Sequence, residues 1–263
     1  MIDTYYGPTF VRVSGPSDGP PLVLLSGARS TSLMWIPNIR ALSGPFRTYA
    51  VDNIYDYGRS VYTRAVKDPD DLVRWLDELV DGLELGNPFN LMGLSYGGWI
   101  SCLYALRFSN RLAKIVLLAP ACTILPVSLS FMLRAVFVSL SPGLFAESFM
   151  KWLFTDLMCK DRRSRAILED GVSDMRVASR CFKPKRLVRP TLLKDGELAG
   201  IKVPTLILVG ENEKIYSARS AVLRLDKVAP QIHTEIIPCA GHGLSIEQPD
   251  LVNEKALQFL SRP

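Results

Sequence analysis

Gly93-Leu94-Ser95-Tyr96-Gly97-Gly98 contains a Gly-x-Ser-x-Gly spacing. An apolar run of strand length, Phe89-Asn90-Leu91-Met92, precedes it, and a helical pattern over residues 96–108 follows. A serine on such a sharp strand-to-helix turn takes a strained backbone conformation that flanking glycines accommodate. The turn lifts the hydroxyl above the sheet, and the N–H of the next residue, Tyr96, can stabilise an oxyanion.

A serine hydroxyl is a poor nucleophile until a nearby base accepts its proton. The chain has two histidines. His233 lies in or just before a strand. His242, in Ala240-Gly241-His242-Gly243, lies in a loop after the last strand run and before the last helix, where a base can approach the serine. A carboxylate should orient the imidazole through its other nitrogen, and in chain order it should fall between the serine and the histidine, after a strand. Leu208-Val209-Gly210-Glu211-Asn212-Glu213 offers Glu211 and Glu213. Glu213, further beyond the strand end, is the favoured acid, and Glu247 is a weaker third candidate. The second oxyanion donor should come from the loop after the early strand, Ser26-Gly27-Ala28-Arg29-Ser30, with Ala28 as the N–H.

The elements that must place these groups are legible as continuous apolar runs. They are Leu22–Leu25, Tyr49-Ala50-Val51, Phe89-Asn90-Leu91-Met92, Ile115-Val116-Leu117-Leu118, Thr205-Leu206-Ile207-Leu208-Val209 and Glu235-Ile236-Ile237, with an alternating β-branched segment at residues 9–14 ahead of them. Continuous runs suit strands buried on both faces of a parallel sheet. Helical periodicity marks residues 70–85, 96–108 and 251–260, so strands alternate with helices in a doubly wound α/β sheet. The alternation fails over residues 121–199, which divide into an apolar half and a basic half. The expected organisation is therefore an α/β core of residues 1–120 and 200–263, with a helical cap inserted at 121–199.

The chain has 263 residues, is 48% hydrophobic and 22% charged, and carries a net charge of +5. The segment 160–194 holds eleven basic against four acidic residues, so the excess is local. A solvated helical face accounts for it, and no nucleic-acid motif accompanies it. Five cysteines without a CxxC pair argue against a disulfide framework and against a zinc site. No signal-peptide pattern opens the chain, so the cytoplasm is the expected compartment. The most apolar stretch is broken by Pro126, Arg134 and Pro142, which argues against a membrane span. A homodimer is compatible with the sequence, which does not fix an oligomeric state.

Taken together, the nucleophile motif, Val209-Gly210-Glu211-Asn212-Glu213, Gly241-His242 with Glu247-Gln248-Pro249, and the loop Asp52–Ser60 resemble the α/β-hydrolase family. The likeness is to its small bacterial carboxylesterase-like members with a helical cap. It implies an eight-stranded, mostly parallel sheet and no cofactor. Two departures stand out: Ser26-Gly27 replaces the family's usual His-Gly, and Glu213 stands where the family usually has Asp. The expected activity is hydrolysis of a small-molecule carboxylic ester through Ser95, His242 and Glu213, with the Ala28 and Tyr96 amides as oxyanion hole. Apolar cap residues, among them Phe131, Met132 and Trp152, are expected to line the acyl pocket. A thioesterase, lyase or C–C hydrolase, a membrane-surface lipase, or a silent ligand-binding module on the same scaffold are the competing readings.

Overall fold

The computed structural model describes residues 1–86, 88–140, 142–159, 162–182 and 187–262. In chain order the elements are β1 (Val11–Ser14), β2 (Pro21–Leu25), α1 (Ile36–Leu42), β3 (Arg47–Val51), α2 (Pro69–Gly82), β4 (Phe89–Leu94), α3 (Tyr96–Arg107) and β5 (Leu112–Leu118). Five helices follow: α4 (Leu129–Leu140), α5 (Pro142–Leu153), α6 (Thr155–Cys159), α7 (Arg162–Cys181) and α8 (Asp195–Ala199). The chain closes with β6 (Thr205–Gly210), α9 (Ala218–Val228), β7 (His233–Ile237), α10 (Leu244–Glu247) and α11 (Pro249–Leu260).

The strands form one sheet in the order β1-β3-β2-β4-β5-β6-β7. All pairs are parallel except β1 with β3. Every strand run marked in the sequence is present. The eight strands implied by the resemblance are not: the described residues form seven. Ahead of β1, Ile2 and Thr9 make a single antiparallel bridge. The chain between them turns at Gly7 (φ +127°), whose N–H donates to Thr4 O at 3.0 Å.

The central strands β2, β4, β5 and β6 are buried on both faces, which is why they read as unbroken apolar runs, whereas the edge strands β1 and β7 are partly exposed. Val23, Leu25, Leu91, Ile115, Leu117, Ile207 and Val209 point into one core with α2 and α3. The alternate residues Leu22, Leu24, Met92, Val116, Leu118, Leu206 and Leu208 point into a second core with α1 and α11. Each fully buried aliphatic side chain contributes roughly 1.5–3 kcal/mol relative to exposure. Helix α2 starts where the sequence requires: Pro69 takes the first turn, and the Asp68 carboxylate accepts the Asp71 N–H at 3.0 Å. Helix α3 is buried along nine of its twelve residues, so its sequence is apolar on most sides.

Helices α4–α8 occupy the stretch between β5 and β6. Parts of that stretch pack directly on the main core, including Ile124, Leu193 and Leu198. Among the described residues no helix is long and apolar enough to cross a membrane.

Candidate active site

Ser95 occupies the turn between β4 and α3 with φ 52° and ψ −112°, a conformation rare for a residue with a Cβ. The turn is held by its own backbone. Ser95 N–H donates to Leu118 O (2.8 Å), and Ser95 O accepts from Trp99 N–H (3.0 Å) and Ala121 N–H (3.1 Å). The glycine at 97 is a packing requirement: a Cβ there would lie 2.5 Å from Leu25 O and 2.7 Å from Ser26 O. The elbow therefore rests directly on the end of β2 and the loop that follows it. Tyr96 is the first residue of α3, and first-turn N–H groups have no intrahelical partner.

The loops after β6 and β7 are joined by main-chain hydrogen bonds. Glu211 N–H reaches Ile237 O and Asn212 N–H reaches Ala240 O, both at 2.9 Å. The contact is close enough that a Cβ at Gly210 would lie 2.2 Å from Gly241 O. This joint sets Glu213 beside His242. Glu213 Oε2 lies 2.9 Å from His242 Nδ1, and Glu213 Oε1 accepts the Ile215 N–H at 2.8 Å. On the other side His242 Nε2 lies 2.8 Å from Ser95 Oγ. The Glu213 side chain has no exposed surface and that of His242 has 7%. Three groups separated by up to 147 positions thus form one continuous hydrogen-bonded chain in a water-poor site.

Of the two carboxylates left open by sequence spacing, Glu213 is the one that meets the imidazole. Glu211 instead accepts the Cys239 N–H at 3.1 Å. His233 opens β7 on the surface, 3.1 Å from Glu235, away from the serine. Glu247 is fully buried and accepts the Gly241 N–H at 2.7 Å; it does not bond the imidazole.

The loop after β2 passes close over the serine: a Cβ built at Gly27 would lie 3.5 Å from Ser95 Cβ. Ala28 follows on the exposed side of this loop. Two carboxylates from the segment after β3 hold it. Asp56 accepts N–H groups from Arg29 and Ser30, and Asp52 accepts the Ser32 N–H at 2.8 Å. Burial raises the Asp56 carboxyl to about 6 despite these bonds. Asn53 Nδ2 donates to Ser26 O at 3.0 Å. Sequence spacing did not single out Asp56, because a loop carboxylate has no periodic signature; the only cue was its place in the segment 52–60.

Phe131 and Trp152 both stack on Phe149, with ring centroids 5.6 and 6.0 Å apart, and all three pack against the core that contains Tyr96. Met132 does not join them. It is 47% exposed, because successive residues on a helix point about 100° apart, and α4 turns Phe131 inward. The Tyr96 hydroxyl donates to Val188 O at 2.7 Å, tying α3 to the chain beyond α7. Among the described residues no group of three or more His, Cys, Asp or Glu could hold a metal ion.

The chain is 37% identical to the uncharacterized carboxylesterase nap of Bacillus subtilis, over 99% of this chain and 85% of that protein. It is 36% identical to carboxylesterase YbfK of the same organism, over 98% and 86%. The crystal structure of naproxen esterase from Bacillus subtilis superposes with a TM-score of 0.87, at 37% identity, covering 99% of this chain and 90% of that one. The model of the alpha/beta hydrolase family matches residues 22–255, and the chain belongs to that family.

Proposed function

We propose that the protein is a serine carboxylesterase acting on small-molecule esters, with Ser95 as nucleophile, His242 as general base and Glu213 as the acid that orients it. The observation that carries this reading is the pair of contacts on one imidazole: 2.8 Å from Nε2 to Ser95 Oγ and 2.9 Å from Nδ1 to Glu213. Bonded to a carboxylate, Nδ1 keeps its proton, so Nε2 is free to accept one. Ser95 Oγ attacks the acyl carbon as its proton passes to Nε2. The carbonyl oxygen becomes an oxyanion, stabilised by the Ala28 and Tyr96 N–H groups. Collapse breaks the ester C–O bond, and His242 returns the proton to the departing alcohol. Water, deprotonated by His242, then attacks the acyl-serine and releases the carboxylic acid. Each lost oxyanion donor would cost about 10²–10³ in kcat. The relatives named carboxylesterase support the ester as substrate.

We read residues 121–199 as a cap over the site, with Phe131, Phe149 and Trp152 forming an apolar wall for the acyl group. The cytoplasm is the compartment we assign, and a homodimer would be measured by sedimentation. A panel of p-nitrophenyl esters from acetate to palmitate tests the activity. Turnover is expected for the wild type and is expected to vanish in Ser95→Ala and His242→Ala. Wild-type protein that is folded and inert to the whole panel would overturn the reading.

A further inference from the structure

His242 sits between two glycines that are packed against the segment joining α5 and α6. A Cβ at Gly241 would lie 3.4 Å from Leu153 O and 3.4 Å from Asp156 Oδ2, and a Cβ at Gly243 would lie 2.2 Å from the Phe154 ring. Two carboxyls converge on Gly241. Glu247, from α10 and without exposed surface, accepts the Gly241 N–H at 2.7 Å and is also bonded by the Leu157 N–H. Asp156, from α6, accepts Asn212 Nδ2 at 2.9 Å, and Asn212 N–H in turn bonds Ala240 O. The histidine loop, the acid loop and α6 are therefore braced through one backbone position.

We propose that Glu247 is a positioning residue for the reaction: through the Gly241 N–H it fixes the His242 backbone, with Asp156 packed against the same glycine. The inference rests on the serine-esterase reading above. The bond strengthens when Glu247 is ionised, since a charged acceptor roughly doubles the worth of an N–H···O bond. The ionised form also faces the imidazolium that forms during acyl transfer. From α6 Glu247 is faced by Asp156, and from the histidine loop by His242. The other helices packed on α10, α1 and α11, present the neutral Asn38 and Asn253 there. Burial, then repulsion from Asp156, raises the Glu247 carboxyl to about 7 against the opposing bonds and the His242 attraction. The brace therefore tightens across neutral pH.

The test compares wild type, Glu247→Gln, Asp156→Asn and the double variant on p-nitrophenyl acetate from pH 5 to 9. Glutamine keeps an oxygen for the Gly241 N–H but does not ionise. Below pH 6 Glu247→Gln is expected within about threefold of wild type; above pH 8 its kcat is expected to fall about tenfold behind, with KM within about twofold. Asp156→Asn removes the neighbouring carboxylate, so the pH at which Asp156→Asn and the double variant Asp156→Asn/Glu247→Gln part company is expected to lie below that for wild type and Glu247→Gln. A kcat ratio that is flat from pH 5 to 9, or a crossover unmoved by Asp156→Asn, overturns the proposal. Ser95→Ala, run in parallel, keeps the two ideas apart. Residual turnover there removes the esterase reading itself, whereas a silent Ser95→Ala with a flat Glu247→Gln ratio removes only the role of Glu247.

Discussion

Replacing Glu213 by glutamine changes almost nothing in shape and removes the one feature the site requires of that side chain. Glu213 accepts two N–H groups at once, from His242 Nδ1 at 2.9 Å and from Ile215 at 2.8 Å, with no access to water. Glutamine has one carbonyl. If that oxygen stays on Ile215, the amide NH₂ faces Nδ1, and the imidazole must carry its proton on Nε2, where it cannot accept one from Ser95. If the amide is turned round, its NH₂ meets the Ile215 N–H, and a buried donor is left unpaired at about 1–3 kcal/mol. In both cases the imidazolium loses its negative neighbour. The expected loss is about 10³–10⁴ in kcat/KM, or about 4–5 kcal/mol of transition-state stabilisation. Glu213→Asp keeps the charge but retracts it by about one bond length, ~1.5 Å, and is expected to lose about 10–100-fold. Initial rates on p-nitrophenyl acetate, with thermal melts to show that both variants fold, supply the comparison. A folded Glu213→Gln within tenfold of wild type would refute the reasoning.

Gly97→Ala would drive a methyl into Leu25 O at 2.5 Å and Ser26 O at 2.7 Å, both main-chain atoms that cannot swing away. We expect about 1–3 kcal/mol of destabilisation by denaturant titration and at least ~100-fold lower kcat/KM, and wild-type rates would contradict this. Asp56→Asn removes the carboxylate that accepts the Arg29 and Ser30 N–H groups, so the loop bearing Ala28 loosens. Turnover is expected to fall about tenfold at pH 8 with Ser95 still reactive, as read by kcat and by inhibitor labelling. Stability should also report the buried Glu247. Its carboxyl is raised in the folded chain from 4.5 to about 7, so its contribution is complete below about pH 4.5 and is lost as pH climbs to about 7. The loss amounts to about 3 kcal/mol, and Glu247→Gln, which does not titrate, should gain roughly 5 °C on wild type between pH 4.5 and 8. Parallel melting curves across that range would contradict it.

The strands were legible because burial on both faces leaves no polar alternation to interpret, and Leu22–Leu25 or Thr205–Gly210 could hardly be placed elsewhere. The meeting of Ser95 and His242 was legible because a serine on a strand-to-helix turn and a histidine in the loop after the last strand both sit at the carboxyl ends of the strands. The choice between Glu211 and Glu213 was not decided by spacing, since both lie on one loop, and the difference is made by which side chain turns inward beneath His242. Helices α1 and α9 escaped the periodicity reading. The first is seven residues long with Pro37 in its opening turn, and the second buries chiefly Ala218, Ala221 and Leu225 between charged residues. Met132, expected beside Phe131 and Trp152, is 47% exposed, because composition does not reveal the rotation of a helix that is apolar on most sides. The links from Asp56 and Glu247 to backbone N–H groups, and from Asp156 to the Asn212 side-chain amide, depend on loops meeting in space, and nothing in the spacing of those residues announces it.

The central claim is that Ser95 Oγ is the atom that becomes acylated, and covalent labelling tests it most directly. Native protein treated with a fluorophosphonate, digested and sequenced by mass spectrometry is expected to carry the adduct on Ser95, with none in Ser95→Ala and strongly slowed labelling in His242→Ala. An adduct on another residue, or labelling of folded Ser95→Ala at the wild-type rate, would contradict the account.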